Sequence, residues 1–264
     1  MISSQSNPII KKVKKLHSRA GRKKFKQYFI EGIRGVEQVL DNGAPVREAL
    51  FSRDVLEFAG GEDLIRRLEE KGIPVIEVSR EVFDSIADTG SPQYIMAVLD
   101  IIQYEIESVI SGENILVVIV DGIQDPGNLG TIIRTADAAG ADGVILLKGT
   151  ADLYNPKTVR STMGSVFSTP IIHADDAASL IELLHRHGVA VVATGLEGSK
   201  YYFEVDYTGS TAVVIGSEAH GVSDGIMERC DECVRIPMQG KAESLNAAVA
   251  SAVVLYKAVE QRLT

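Results

Sequence analysis

Only two cysteines occur in 264 residues, so no disulfide framework is available, and a chain of this length buries a core large enough not to need one. Long apolar runs are also missing. The longest, Ile115 to Val120 and the small-residue stretch Ala247 to Tyr256, fall well short of the about 20 residues that cross a bilayer. The N-terminus is basic but has no apolar core followed by a small-residue cleavage site, so it does not read as a secretory signal and a cytoplasmic protein is the expectation. Acidic residues are absent from the first 30 positions. What is present is ordinary globular composition, 45% apolar and 24% charged, which excludes disorder and fibrous repeats and leaves room for two domains.

The overall charge of -9 conceals a strong asymmetry. Residues 1–30 hold nine bases (Lys11, Lys12, Lys14, Lys15, Arg19, Arg22, Lys23, Lys24 and Lys26), which leaves 18 bases against 36 acids in the remainder. A polyanion is repelled by such a body and drawn to such an arm, the pattern of a protein that holds nucleic acid at one localised patch. Two other readings stand beside it. The arm can be a solvated, partly helical leader. Alternatively, because Ile9, Val13 and Leu16 recur at helical spacing with lysines between them, it can be an amphipathic helix on a membrane surface.

Beyond the arm, β-rich runs alternate with helix-like windows at Tyr28 to Glu31, Arg34 to Leu40, Arg47 to Phe51, Asp63 to Glu70, Val75 to Val78 and Tyr94 to Ile102, which reads as a small α/β domain. The pattern lapses over residues 103 to 113, read as a linker, and the domain boundary is placed between residues 105 and 106. Longer strands without polar alternation then follow at Leu116 to Val120, Gly143 to Leu147, Val189 to Ala193 and Ala212 to Ile215. Such strands are buried on both faces, the mark of a mainly parallel sheet covered by helices. The last helix carries Leu245, Ala248, Val249, Ala252, Leu255, Tyr256, Val259 and Leu263 as one apolar stripe, with Ser244 as an N-cap candidate. Its alanines imply close packing on another helix or on a second copy.

Three strand-to-helix loops could carry chemistry. The first, Asp121-Gly-Ile-Gln-Asp-Pro-Gly-Asn-Leu-Gly130, sits where α/β folds bind phosphates and cofactors. Asn128 and Leu129 follow Gly127 where a P-loop needs Lys and Ser or Thr, and the glycine spacing also fails the dinucleotide fingerprint. Asn128 can simply cap the helix Leu129 to Ala139. Arg134, one and a half turns into a small, apolar helix, can pair with Asp137 at i+3 or present its planar fork to a phosphate. The other loops, Gly216-Ser-Glu-Ala-His-Gly-Val222 after one strand and Ile236-Pro-Met-Gln-Gly-Lys-Ala-Glu-Ser-Leu-Asn246 after a short strand at Cys233 to Ile236, are individually unspecific.

Together they are specific. Asn128-x-Gly-x-x-x-Arg134, Ile215-Gly-x-Glu218-x-x-Gly221, and Ile236-Pro-Met238 with Ser244-Leu-Asn246 ahead of an alanine-rich helix resemble the three motifs of the SpoU/TrmH family of RNA ribose 2′-O-methyltransferases. The resemblance runs over roughly residues 114 to 262 and takes in Tyr154-Asn-Pro-Lys157, Val159-Arg160 and Met163-Gly-Ser-Val-Phe167. The arm and Phe29-Ile-Glu-Gly-Ile-Arg34 look more loosely like the substrate-binding domain that many members carry. Ala219 stands where the family usually has Gly, and Ala248 where Ser is frequent.

The resemblance implies two domains, residues 1–105 for RNA substrate binding and residues 106–264 for catalysis, the latter an α/β domain with a deep trefoil knot. It implies S-adenosylmethionine at the knot, lined by Gly195, Gly216, Ile236, Met238 and Leu245, and a homodimer with its active site near the subunit interface. Asn128, Arg134, Glu218, Ser244 and Asn246 are the implied catalytic residues. Because a guanidinium is costly to deprotonate, Arg134 is expected to hold the neighbouring phosphate and stabilise the developing oxyanion. Glu218 is expected to orient it, and Ser244 and Asn246 to position the ribose or complete the loop. The implied substrate is structured RNA, rRNA ahead of tRNA, with no metal and no membrane. The alternative is a non-catalytic RNA-binding or ribosome-assembly protein on the same fold. Cys230-Asp-Glu-Cys233 has no second pair to complete a zinc site. His185 and His187 fall on different helix faces, and His220 reads as a solvated turn residue or a substrate contact.

Overall fold

Helical spacing gathers Ile10, Val13 and Leu16 on one face, with Ile10 rather than the expected Ile9 as its first member and Ile9 only partly buried. In the computed structural model, which describes residues 1–196 and 198–264, all three are fully buried. The helix α1 (Pro8–Leu16) is capped by the Asn7 side chain, which accepts from the Ile9 amide at 2.9 Å. A second helix, α2 (Arg19–Phe25), is capped by Ser18, and a side chain at Gly21 would collide with the Lys15 carbonyl oxygen at 1.8 Å. The basic segment is therefore neither a solvated leader nor a membrane-surface helix: the face a bilayer would take is already packed. Lys12 pairs with Glu48 at 2.6 Å, while Lys11, Lys15, Arg19, Lys23, Lys24 and Lys26 are exposed.

Contacts divide the chain into two units. Unit 1 comprises Met1–Ile102 with Tyr154–Arg160, and unit 2 comprises Gln103–Leu153 with Ser161–Thr264. After the two helices, unit 1 continues as β1 (Gln27–Glu31), α3 (Ile33–Asp41), β2 (Val46–Phe51), α4 (Gly61–Glu70), β3 (Val75–Glu77), α5 (Arg80–Asp84) and β4 (Ile95–Asp100). Its sheet runs β1-β4-β2-β3. The strand β4, buried from Ile95 to Leu99, lies at its centre, antiparallel to both neighbours. The excursion Tyr154–Arg160 joins this unit through the Tyr154 ring, 4.4 Å from that of Tyr28, and through Arg160, which donates to Asp88 at 2.7 Å.

Unit 2 begins inside the segment read as a linker. A short helix, α6 (Glu107–Ile110), buries Val109 and Ile110 in the same apolar cluster as Ile115, Ile119 and Val214, so the acids of this segment are the outer side of a packed turn. The order is then β5 (Leu116–Asp121), α7 (Pro126–Ala138), β6 (Gly143–Leu147), β7 (Ile171–Ala174), α9 (Ala177–Arg186), β8 (Ala190–Thr194), β9 (Lys200–Tyr201), β10 (Thr211–Gly216), α10 (Asp224–Met227), β11 (Glu232–Arg235) and α11 (Ala247–Leu263), while α8 (Pro156–Ser161), between β6 and β7 in the chain, falls in the excursion that belongs to unit 1 in all but its last residue. The seven strands are ordered β7-β6-β5-β10-β8-β11-β9, with every pairing parallel. The continuous apolar runs explain this: Leu116 to Val120 and Thr211 to Ile215 are buried at every position. From β5 the chain moves outward to β6 and β7, then crosses to β8 on the far side of β10, which opens a crevice at the carboxyl ends of the central strands, where α/β sheets bind ligands.

Candidate active site

The loops that leave β8, β10 and β11 meet in one pocket. Gly195, Gly216, Ile236, Met238 and Leu245 all line it, together with Glu218 and Ser244. Its walls are apolar where strand ends and helix meet, through Ile215, Val234, Ala247 and Ala250. From Pro237 to Leu245 no backbone group bonds to another backbone group among the described residues, so the loop offers its amides and carbonyls to a ligand. Gly216 is required for a close approach: a Cβ there would lie 2.2 Å from the Gly221 carbonyl carbon. Ala219 has no positive φ, so this turn does not need glycine at that position; the left-handed residue is Gly221, at φ 67°. An apolar slot edged by unbonded backbone groups and a carboxylate suits the adenosine and aminoacyl parts of S-adenosylmethionine.

Three side chains form a directional relay at this pocket. The Asn246 Oδ1 accepts from the amides of Ala248 (3.0 Å) and Val249 (3.3 Å), so Asn246, not Ser244, caps α11. Its Nδ2 donates to Asn128 Oδ1 at 2.9 Å, and Asn128 Nδ2 donates to Glu218 Oε1. The positive end of a 17-residue helix thus connects through two amides to a carboxylate. Asn128 is free for this role because Asp125 caps α7, accepting from the Asn128 amide at 2.8 Å, with Pro126 at the first helical position. The structure therefore replaces the expected helix start at Leu129 and the capping role of Asn128.

Arg134 stands apart. Six residues beyond Asn128, it points about 120° around the helix from it, is exposed, and has no hydrogen-bond or ion-pair partner among the described residues. The i+3 pairing does not form: Asp137 accepts instead from Ser168 (3.0 Å) and Thr169 (3.2 Å). Nor does Glu218 orient Arg134, since its partner is Asn128.

The cysteine pair is partly buried and His185 is partnered. Burial pushes both the Cys230 and Cys233 thiols up from their ordinary value, which disfavours thiolate chemistry. His185 pairs with Asp231 at 3.0 Å. His220 is exposed in its turn, its amide donating to Ser217 Oγ at 3.1 Å. Sequence reasoning missed Thr194, Val234, Ala247 and Ala250 as pocket residues. Their one signal was position, at strand ends and on the first turn of an alanine-rich helix.

Comparison with known proteins adds independent findings. Residues 115–256 match the SpoU rRNA Methylase family, and residues 7–97 the MRM3-like substrate binding domain. The chain is 38% identical over 255 residues to the 23S rRNA (guanosine(2553)-2'-O)-methyltransferase RlmP of Bacillus subtilis (strain 168), covering 97% of each. It is 33% identical over 260 residues to the 23S rRNA (uridine(2479)-2'-O)-methyltransferase of Streptomyces viridochromogenes, covering 94% of this chain and 88% of the other. The crystal structure of an AdoMet-bound rRNA methyltransferase from Sinorhizobium meliloti matches with a TM-score of 0.87 at 33% identity, over 100% of this chain and 98% of that one.

Proposed function

The chain belongs to the SpoU rRNA methylase family, and on that premise we propose that it transfers a methyl group from S-adenosylmethionine to a ribose 2′-hydroxyl in structured rRNA. The observation that carries this reading is the relay from Asn246 through Asn128 to Glu218, built at the edge of a pocket that gathers all five expected cofactor residues. Residues 1–105, together with the excursion Tyr154–Arg160, hold RNA, and the rest of residues 106–264 catalyses transfer.

When bound, S-adenosylmethionine supplies an electrophilic methyl on a sulfonium centre. Gly195, Gly216, Ile236, Met238 and Leu245 hold it, mainly through backbone groups. The attacking hydroxyl must shed its proton or gain alkoxide character as it reacts. Arg134, a charged fork with no partner among the described residues, holds the neighbouring phosphate and stabilises that oxyanion. Asn128, Glu218 and Asn246 fix the polar rim on which the ribose is positioned, and Ser244 closes it.

Homodimerisation is part of the same proposal. Val249, Tyr256 and Leu263 are 49%, 51% and 82% exposed, and seven-residue spacing keeps them on one face of α11. An Arg134 left outside its own chain's relay is what an active site near a subunit interface would leave in one chain. The trefoil knot belongs to this reading too, supported by the loops after β10 and β11 converging on one pocket while Asn246 reaches back to Asn128. A cytoplasmic location accords with the absence, among the described residues, of any helix long and apolar enough to cross a membrane.

Labelled-methyl transfer to 23S rRNA from cells lacking the gene tests the proposal. The expected product is a single 2′-O-methyl nucleotide, and a substrate with hydrogen in place of the target 2′-hydroxyl should be inert. Methylation of that 2′-deoxy substrate, or failure of the protein to bind S-adenosylmethionine, would overturn it.

A further inference from the structure

Unit 1 contains a cavity of about 680 Å³ between the turn after β2 and the loop joining α5 to β4. Glu57, Phe58, Arg80, Asp84, Ser91 and Tyr94 are among its lining. Tyr94 adopts φ 55°, a left-handed backbone that a bulky side chain rarely takes. This places its ring 5.6 Å from Phe83 and 6.5 Å from Phe58, with only 9% of the residue exposed. The Arg80 guanidinium lies 5.3 Å from the centre of the Tyr94 ring and donates to Asp54 at 3.0 Å. Its charge is thus already balanced by Asp54. Glu57, Asp84 and Ser91 accept no hydrogen bond among the described residues.

These features select a ligand. A phosphate would meet two exposed carboxylates, Glu57 and Asp84, and one cation that already has a partner, so an anion is disfavoured. A cationic side chain would meet Arg80. A flat, neutral group with apolar faces and N–H donors at its edge satisfies every wall: it stacks on the half-buried Phe58 and donates to Glu57 or Asp84, as amino-bearing bases do to carboxylates. We propose that this cavity receives an unstacked nucleobase bearing an exocyclic amino group, from the RNA that the substrate domain holds. The proposal rests on the RNA-methyltransferase reading and adds to it a recognition subsite on unit 1, outside the catalytic loops.

The chain contains no tryptophan, so Phe58→Trp creates a single fluorescent reporter that preserves the stacking surface. Full-length Phe58→Trp protein is titrated with the oligoribonucleotides rC5, rA5 and rU5 and with an abasic ribose-phosphate pentamer. Strong quenching by rC5 and rA5, weaker quenching by rU5 and none by the abasic chain are expected. Glu57→Gln combined with Asp84→Asn, both at exposed positions, should abolish the preference for rC5 over rU5. In methyl transfer to unmodified 23S rRNA, Phe58→Ala should raise KM about tenfold, the order of one lost base–aromatic stack, with kcat and S-adenosylmethionine affinity unchanged, and Phe58→Trp should restore KM. Equal quenching by the abasic chain, no quenching by any oligomer, or a base preference that survives loss of both carboxylates would overturn the proposal. Failure of methyl transfer by the wild-type protein would instead overturn the enzymatic reading, which the fluorescence titration does not use.

Discussion

Asn246 donates through Nδ2 to Asn128 Oδ1 at 2.9 Å, joining residues 118 positions apart in the chain. One end of this bond caps α11 and the other feeds the amide that holds Glu218. The two asparagines should therefore be separable by substitution. Asn128→Ala leaves the cap in place and should lower methyl transfer by about one to two orders of magnitude, with S-adenosylmethionine affinity within a few-fold. Asn246→Ala should lower it similarly and also cost about 1 kcal/mol of stability through the lost cap. The double variant should be less impaired than the two losses combined, because both break one network. Steady-state kinetics and denaturant unfolding of the three variants check this.

Arg134→Ala should leave cofactor affinity within a few-fold while activity falls by about two to three orders of magnitude, as for loss of a transition-state donor. Arg134→Lys keeps the charge but not the planar fork, and should recover only part of the rate. Because the native arginine makes no ion pair among the described residues, thermal stability of both variants should match the wild type. Calorimetry, labelled-methyl assays and thermal melts read the three quantities separately.

The basic face of unit 1 should supply RNA affinity without supporting the cofactor pocket. Deleting α1 and α2 would confound the question, since Ile10, Val13 and Leu16 belong to the core. Reversal of the exposed Lys11, Lys15, Lys23 and Lys24 to Glu avoids this. The variant should bind 23S rRNA more weakly and flatten the dependence of log K on log salt by about 3 to 4, near one unit for each lost phosphate contact. An unchanged salt slope in filter-binding titrations would place the electrostatic footprint elsewhere.

Tyr207 sets an alkaline limit on stability. Its side chain is fully buried, its hydroxyl donates to the Tyr202 carbonyl at 2.9 Å, and burial pushes its ionisation well above the ordinary tyrosine value. The folded state keeps the phenol neutral, so this contribution is complete below pH about 10 and is lost as the pH rises further. There the unfolded chain ionises and the folded one does not, at about 1.4 kcal/mol per pH unit. Thermal melts from about pH 9 to pH 11.5 should show the decline. Tyr207→Phe should be less stable at neutral pH by about 1 kcal/mol for the lost hydrogen bond but should show a shallower alkaline fall.

Strands were legible where burial on both faces leaves an unbroken apolar run: β6 spans Gly143–Leu147, the same five residues the sequence marks. By contrast β7, Ile171–Ala174, is an edge strand with His173 exposed, too short and mixed to announce itself. The apolar stripe on α11 reads as one face, yet two are present. Ala248 and Leu255 of that stripe are buried with Ala247, Ser251, Val254 and Ala258, whereas its Val249, Tyr256 and Leu263 are exposed, and apolarity alone does not say which side meets the core. Motif resemblance named the candidate site residues but not their bonding. That Glu218 is held by Asn128 rather than by Arg134 depends on a fold that brings together loops 90 residues apart.

The short excursion Tyr154–Arg160 limits how modular this protein is. It lies within the sequence of unit 2 yet belongs to unit 1, where it brings a ring against Tyr28 and a cation to Asp88. No single cut in the chain therefore yields both units whole: a fragment ending at Ile102 leaves Tyr28 and Asp88 without these partners, and one starting at Gln103 carries the partners with nothing to receive them. A chimera that exchanges substrate domains between relatives must transplant two separate stretches of chain, and sequence changes in β1 are constrained by residues more than 120 positions downstream.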